Sequence, residues 1–207
     1  MDRNRTFWDK NAQRYARRKI GNMPAYEQTL AHVRRYLSKD QNVLEIGCGT
    51  GSTALLLAPD AGHITATDIA PNMIDIARAK PETAELGNVT FTTADLADDN
   101  IGEGRFDTVL AFNLLHLVPE TGTALRAIHR CLRPGGLFIS KTVCLAEYTI
   151  FLRALISVMK VARIAPDVRY LSSQSLNTAI GTAGFEIVET ALYPASGRAH
   201  FVVARKV

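Results

Sequence analysis

Short apolar segments alternate with amphipathic segments along most of the chain. Two amphipathic helices are predicted first, over 4–19 and 24–37, because apolar residues recur there at helical spacing. Beyond them, strand-like apolar runs mostly alternate with helical patterns, which predicts a parallel sheet with right-handed crossovers. The predicted strands are 42–46, 64–68, 89–94, 106–112, 136–142, 186–192 and 200–205, and the predicted connecting helices are 52–58, 71–80, 121–132 and 175–183.

The last two predicted strands are separated only by the short loop 193–197. A connection this short joins antiparallel strands, because parallel neighbours need a crossover. We therefore expect an α/β fold with a doubly wound, seven-stranded mixed sheet in which six strands are parallel and the last strand is antiparallel. The segment 145–173 interrupts the alternation and is too long for a plain connection, so an inserted helical segment is expected there.

The first predicted strand and the turn after it read VLEIGCGTG. Gly47, Gly49 and Gly51 alternate with small residues in this turn. Glycines at such a place let the backbone approach a bound ligand, because they carry no Cβ. Asp68 ends the second predicted strand, where an acid can bind the two hydroxyl groups of a ribose. Together these features predict a nucleoside-like cofactor at this edge of the sheet.

The glycine spacing separates two classes of cofactor. A dinucleotide fingerprint is G-x-G-x-x-G, whereas here the third glycine comes one residue early and Ser52 occupies the sixth position. Glu45 lies within the strand, and a buried carboxylate there favours a cationic ligand over a pyrophosphate. S-adenosylmethionine carries a sulfonium and an ammonium group. A dinucleotide-dependent oxidoreductase is therefore disfavoured.

These residues resemble the first motif of the class I S-adenosylmethionine-dependent methyltransferases, which reads acid-x-G-x-G-x-G. The resemblance runs from about residue 42 to the C-terminus, without 145–173, and includes RFDTVLAF at 105–112, CLRPGGLF at 131–138 and AGF at 183–185. It implies the family's seven-stranded fold and S-adenosylmethionine as the cofactor, with Asp95 contacting the adenine amino group. The resemblance implies these cofactor-binding residues: Tyr15, Glu45, Gly47, Gly49, Gly51, Asp68, Ile69, Met73, Asp95, Leu96 and Asn113. It also implies that Trp8 and Tyr15 of the first helix close over the cofactor, although packing in the core is an alternative role for them.

The chemistry of methyl transfer identifies few catalytic candidates. The acceptor atom, methyl carbon and sulfur must be in line, so positioning dominates. A general base is needed only if the acceptor is a hydroxyl, a thiol or a protonated amine. His116 follows the fourth strand at the carboxyl edge of the sheet and is the candidate base; His200, which opens the last strand, is a second candidate. For either histidine, packing is the alternative role.

The sequence also limits the acceptor and the partners. Asn113 is followed by Leu-Leu-His rather than the Pro-Pro-aromatic sequence of adenine-N6 methyltransferases, and the Pro-Cys nucleophile of cytosine-C5 enzymes is not present. Nucleic-acid bases are thus disfavoured, and a net charge of +4 is mild. We expect a small, partly apolar acceptor with an oxygen or nitrogen nucleophile, covered by 145–173 as a movable lid. Phe151, Leu155, Val158 and Met159 are expected to contact it.

Two alternatives remain open at this point. A lipid or quinone methyltransferase in peripheral contact with a membrane is suggested by the basic, apolar character of 145–173. A catalytically silent S-adenosylmethionine-binding protein is the other. Asp95, Asp98 and Asp99 are close in sequence, but no further ligand is placed beside them, so no metal site is expected.

Length and composition predict a single cytoplasmic domain. The 207 residues suffice for one hydrophobic core, with 4–37 as N-terminal cap helices. The first 19 residues are polar and basic, without the apolar core of a signal peptide. The three cysteines, Cys48, Cys131 and Cys144, have no paired or metal-ligand spacing and fit a reducing compartment.

Overall fold

The computed structural model of the protein describes residues 3–96, 101–162, 164–195 and 197–207. Its seven strands form one sheet in the order β3-β2-β1-β4-β5-β7-β6. The strands are β1 (Asn42–Ile46), β2 (His63–Asp68), β3 (Val89–Thr93), β4 (Phe106–Phe112), β5 (Leu132–Val143), β6 (Phe185–Leu192) and β7 (Ala199–Lys206). Strand β7 is antiparallel to both of its neighbours, and the other neighbouring pairs are parallel. The predicted mixed sheet is thereby confirmed.

Helices surround this sheet. They are α1 (Arg3–Ala16), α2 (Met23–Arg34), α3 (Ser52–Leu57), α4 (Pro71–Arg78), α5 (Pro81–Leu86), α6 (Thr121–Cys131), α7 (Ile150–Val161) and α8 (Ser173–Thr182). None of the helices in the described ranges has the length and apolar character that crossing a membrane requires.

The central strands are buried on both faces. In β1, Val43 belongs to one hydrophobic cluster, while Leu44 and Ile46 belong to another on the opposite face. In β4, Leu110 lies in the first cluster and Val109 in the second. Because successive side chains of a strand point to opposite faces, two separate cores form, each covered by helices. This leaves the carboxyl edge of the sheet for a ligand.

Several element boundaries differ from the prediction by one to four residues, and two of these differences have clear local reasons. The helix predicted over 71–80 ends at Arg78, and Pro81 begins the separate helix α5, because proline has no N–H to continue a helix but fits its first turn. Strand β5 begins at Leu132 rather than 136, since Leu132 pairs with Phe106 ahead of a register shift. Neither change moves the carboxyl ends of the strands.

Helix α1 is fixed over the beginning of α4. Asp9 accepts a hydrogen bond from the backbone N–H of Asn72 at 2.9 Å, and Ala12 packs against Ala70 and Met73. An acid facing the first turn of a helix is stabilised by the exposed N–H groups and the helix dipole. The first helix therefore lies beside the carboxyl edge of β2, as a cap over the sheet.

Candidate active site

A cavity of about 880 Å³ opens at the carboxyl edge of β1, β2 and β4. Its walls come from α1, the β1–α3 turn, the loop after β4, α6, α7 and the segment 164–168. This volume lies within the range of small-molecule and cofactor sites, roughly 300–1,000 Å³. Ligands of open α/β sheets bind at this place, beside the point where the strand order reverses between β1 and β4.

The glycines of the β1–α3 turn have different functions. All three have positive φ: 68° at Gly47, 54° at Gly49 and 76° at Gly51. A Cβ on Gly49 would meet only the Tyr15 ring, at 3.5 Å, so this backbone is open to a ligand. A Cβ on Gly51 would lie 2.5 Å from the ring of Phe91. Gly51 does not line the cavity, where the resemblance implied a ligand contact, and packing against Phe91 requires a residue without Cβ at this position.

Asp68 joins the end of β2 to this turn. One carboxylate oxygen accepts a hydrogen bond from the N–H of Gly49 and the other from the N–H of Ala70, both at 2.9 Å. Burial raises the pKa of Asp68, while the backbone hydrogen bonds, including one from Ile69, oppose that rise. The carboxylate lines the cavity, and its oxygens keep lone pairs for further donors such as hydroxyl groups.

Glu45 lies behind the cavity lining, not in it. It is buried in β1 and accepts a hydrogen bond from the N–H of Ala54, whereas its Oε2 has no partner among the described residues. Burial, with a smaller contribution from the charge of Asp68, raises the pKa of Glu45 to about 8. A cationic group bound near the turn would stabilise the ionised carboxylate. The sulfonium and ammonium groups of S-adenosylmethionine would supply this positive charge. The resemblance implies direct contact between Glu45 and the cofactor, whereas Glu45 does not line the cavity.

All the other implied cofactor residues come together in the cavity. Asn113 holds a left-handed backbone conformation, with φ of 54°, at the end of β4. The ring of Tyr15 lies edge-on to Trp8, with 5.7 Å between ring centroids, and both rings line the cavity beside the turn. The lining includes these implied residues: Tyr15, Gly47, Gly49, Asp68, Ile69, Met73, Asp95, Leu96 and Asn113.

The two candidate bases are placed differently. His116 lines the cavity, and its Nδ1 is buried without a hydrogen-bond partner among the described residues. Burial lowers the pKa of His116 to about 4, so its imidazole is neutral at pH 7 and can accept a proton. His200 is hydrogen bonded through Nε2 to Asn177 at 2.8 Å and does not line the cavity. The structure therefore leaves His116 as the candidate base.

The far end of the cavity is apolar. From α7, Ile156 and Met159 face it. Of the four residues expected to contact the acceptor, Met159 lines the cavity, whereas Phe151, Leu155 and Val158 are exposed to solvent and do not line it. The apolar lining comprises Val118, Pro119, Ala124, Ala127, Val143, Leu145, Ile156, Met159, Ala165, Pro166 and Val168.

Asn4, which was not among the predicted site residues, holds α1 over the apolar end of the cavity. Its buried amide donates to the carbonyls of Leu117 at 2.6 Å and Asp167 at 3.1 Å. Its Oδ1 accepts from the N–H of Asp167 at 2.8 Å. A polar residue at the beginning of an amphipathic helix gives no sequence signal of such long-range contacts. Asn4 thus ties together the three segments that cover the cavity.

Within the described residues, no group of three or more His, Cys, Asp or Glu side chains is arranged to hold a metal ion. Asp98 and Asp99, which are close to Asp95 in sequence, lie outside the described residues.

Comparisons with known proteins agree with this geometry. A profile of the methyltransferase domain family matches residues 43–136, which include the glycine turn and β1 to β4. A demethylmenaquinone methyltransferase of Listeria welshimeri is 32% identical over 103 residues, covering 48% of this chain and 44% of the relative. An O-methyltransferase of Aspergillus sclerotiorum, resE, is 29% identical over 154 residues, covering 73% of this chain and 57% of the relative. The chain thus matches about half the length of these curated relatives.

A solved structure shares the fold over nearly the whole chain. It is a SAM-dependent methyltransferase of Thermotoga maritima, with a TM-score of 0.74 and 21% identity, covering 98% of this chain and 99% of that one. The fold, the glycine turn and the family match over residues 43–136 together support a class I S-adenosylmethionine-dependent methyltransferase domain, with S-adenosylmethionine as its cofactor.

Proposed function

We propose that this domain methylates a small, largely apolar molecule that carries a hydroxyl or amine nucleophile, and that α7 acts as the lid over it. The main support for this proposal is that the polar and apolar ends belong to one continuous cavity. Its polar end holds Gly49 and Asp68, and its other end is lined by apolar side chains that include Ile156 and Met159. A charged or sugar-like acceptor would lose its hydration there without compensating hydrogen bonds.

Different residues hold the cofactor, accept the proton of the acceptor and exclude water. Asp68 and the open backbone of Gly49 hold the polar end of the cofactor. When bound, S-adenosylmethionine supplies a methyl group that the positive charge on sulfur has already activated. His116, neutral and close to the end of β4, accepts the proton that a hydroxyl or amine acceptor loses as it is methylated. Helices α1 and α7 exclude water from this end of the cavity, which keeps the nucleophile unsolvated.

The names of the relatives support this choice of acceptor. One is called an O-methyltransferase and the other a demethylmenaquinone methyltransferase. An oxygen nucleophile and a quinone-type ring both fit an apolar cavity beside a neutral imidazole. Cys48, Cys131 and Cys144 are free and buried, which supports the proposal that the protein works in a reducing compartment such as the cytoplasm.

The test is methyl transfer from labelled S-adenosylmethionine into a small-molecule extract, without membranes. Label should enter the products that partition into organic solvent. Met159→Asp places a carboxylate in the apolar end and should abolish this transfer while cofactor binding remains. Val158→Asp on the same helix, where the side chain is exposed, is the matched control and should transfer normally. Label confined to water-soluble products would contradict the apolar acceptor, and cofactor binding without any transfer would favour the silent binding protein.

A further inference from the structure

Arg18 is a cation at the edge of the cavity. Helix α1 ends at Ala16, and the chain then turns, with the N–H of Arg18 donating to the carbonyl of Tyr15 at 3.0 Å. Arg18 is exposed, and it lines the cavity together with the Tyr15 ring. Neither the proposed methyl transfer nor the lid over the acceptor gives Arg18 a function.

The hydroxyl of Tyr15 shows which end of the cavity Arg18 is close to. Burial raises the pKa of Tyr15, the charges of Asp68 and, more weakly, Glu45 raise it further, and the charge of Arg18 opposes this rise. The Tyr15 ring is also the group that a Cβ on Gly49 would meet, at 3.5 Å. Arg18 therefore lies at the end of the cavity that the glycine turn and Asp68 form, and not at the apolar end.

The other charged side chains of the lining are acids. Within the described residues, Arg18 is the only lysine or arginine that lines the cavity, whereas Asp68, Asp95 and Glu120 are carboxylates. Glu45 adds a further acid behind the turn. These acids suit the sulfonium and ammonium groups of S-adenosylmethionine, but they repel the carboxylate that the same molecule carries. A cation at the cofactor end of the cavity would offset that repulsion.

Several hydrogen-bond donors of the glycine turn are already engaged. The N–H of Gly49 donates to Asp68 at 2.9 Å. The N–H of Gly51 donates to the carbonyl of Cys48 at 3.0 Å, and the N–H of Cys48 donates to the carbonyl of Thr67 at 2.9 Å. In a phosphate-binding loop, by contrast, successive backbone N–H groups point at the anion. A side chain is therefore the better donor for a carboxylate that binds beside this turn.

The guanidinium of Arg18 is available for this contact. Among the described residues, none accepts a hydrogen bond from it or forms an ion pair with it. A guanidinium presents its donors in a planar fork that matches the two oxygens of a carboxylate. We propose that Arg18 binds the carboxylate of the cofactor's methionine moiety, so that the domain selects S-adenosylmethionine over sulfonium nucleosides that lack this group. The contact involves the cofactor alone and does not depend on the proposed acceptor.

Calorimetric titration with two ligands tests this contact. Decarboxylated S-adenosylmethionine keeps the sulfonium and the ammonium but lacks the carboxylate. The wild-type chain should bind S-adenosylmethionine about three- to tenfold more tightly than the decarboxylated ligand, the range expected for a charged hydrogen bond that water partly screens. Arg18→Gln should lose this preference. Arg17→Gln is the matched control and should keep it, because Arg17 is adjacent and exposed but does not line the cavity.

The ratio of the two affinities separates a contact with the carboxylate from a structural role. A substitution that merely loosened α1 would weaken both ligands alike and leave the wild-type ratio. Three results would overturn the contact: equal affinities in the wild type, an unchanged ratio in Arg18→Gln, or the same loss of preference in Arg17→Gln. The last result would indicate the general field of the basic residues around the end of α1. Binding needs no acceptor, so ligand discrimination without any methyl transfer would refute the proposed function alone.

Discussion

The same substitution at two neighbouring glycines should mainly weaken cofactor binding at Gly49 and mainly lower stability at Gly51. Gly49→Ala and Gly51→Ala both place an alanine at positive φ, 54° and 76°, which costs about 1–2 kcal/mol. At Gly49 the new Cβ meets only Tyr15, at the ordinary contact distance of 3.5 Å. We expect Gly49→Ala to lose about 1–2 kcal/mol of unfolding free energy, and at least about tenfold in cofactor affinity, because the methyl group enters the cavity.

At Gly51 the Cβ would lie 2.5 Å from the Phe91 ring and 2.9 Å from Cβ of Ala77. Both neighbours are buried and have little room to move. Overpacking of this kind adds about 1–3 kcal/mol, so the total loss at Gly51→Ala is roughly 2–5 kcal/mol.

Urea denaturation gives the two stability losses, and calorimetric titration with S-adenosylmethionine gives the affinities of the folded variants. At 25 °C we expect Gly49→Ala to be the weaker binder and Gly51→Ala the less stable protein. Wild-type affinity in Gly49→Ala, or a stability loss at Gly49 as large as at Gly51, would refute the assignment of Gly49 to the ligand and Gly51 to packing.

Four further predictions concern other residues of the site. The pKa of Glu45 is about 8 in the folded chain and 4.5 in the unfolded chain, so folding takes up a proton between these two pH values. The free energy of unfolding should therefore fall by on the order of 5 kcal/mol as the pH rises through this range. Glu45→Gln should remove this decline in urea titrations from about pH 5 to 8. Asp68→Asn leaves one backbone N–H without its carboxylate acceptor and should weaken cofactor binding in calorimetric titration by about 1–3 kcal/mol. His116→Ala should lower turnover about 10²–10⁴-fold at unchanged cofactor affinity, and the acid limb of the wild-type pH–rate profile should lie near pH 4 and vanish in the variant. Asn4→Ala removes the hydrogen bonds that hold α1 over the cavity and should speed cofactor release in stopped-flow measurements.

Each of these four predictions has a contradicting result. A wild-type protein as stable at pH 8 as at pH 5 would show that Glu45 is ionised in the fold. Unchanged affinity in Asp68→Asn would remove this carboxylate from the cofactor site. Normal turnover in His116→Ala would give His116 a packing role, and unchanged release in Asn4→Ala would mean that α1 does not cover the bound cofactor.

The sheet could be predicted because its signals are local. The apolar run of β1 and the three following glycines stand next to each other in sequence, and the short loop before β7 fixes its antiparallel direction. The same is true of Asp68, since the end of a strand is visible in the sequence. The glycine turn and Asp68 therefore allowed the cofactor-binding end of the cavity to be predicted.

The acceptor end could not be predicted in the same way. Helix α7 is apolar over a wide arc, so periodicity does not indicate which part of it faces the cavity. Of the four predicted contacts only Met159 lines the cavity, and Ile156, which also lines it, was not predicted. Asn4 acts through hydrogen bonds to residues more than a hundred positions away. Glu45 was expected to touch the cofactor, but the depth of a side chain behind a turn depends on packing that the motif does not encode.

Calorimetric titration of the purified chain with S-adenosylmethionine and, separately, with NAD tests the central claim most directly. A buried acid behind an open glycine turn, with Asp68 beside it, predicts saturable one-site binding of S-adenosylmethionine and no measurable binding of NAD. Binding of NAD in preference to S-adenosylmethionine would contradict the account.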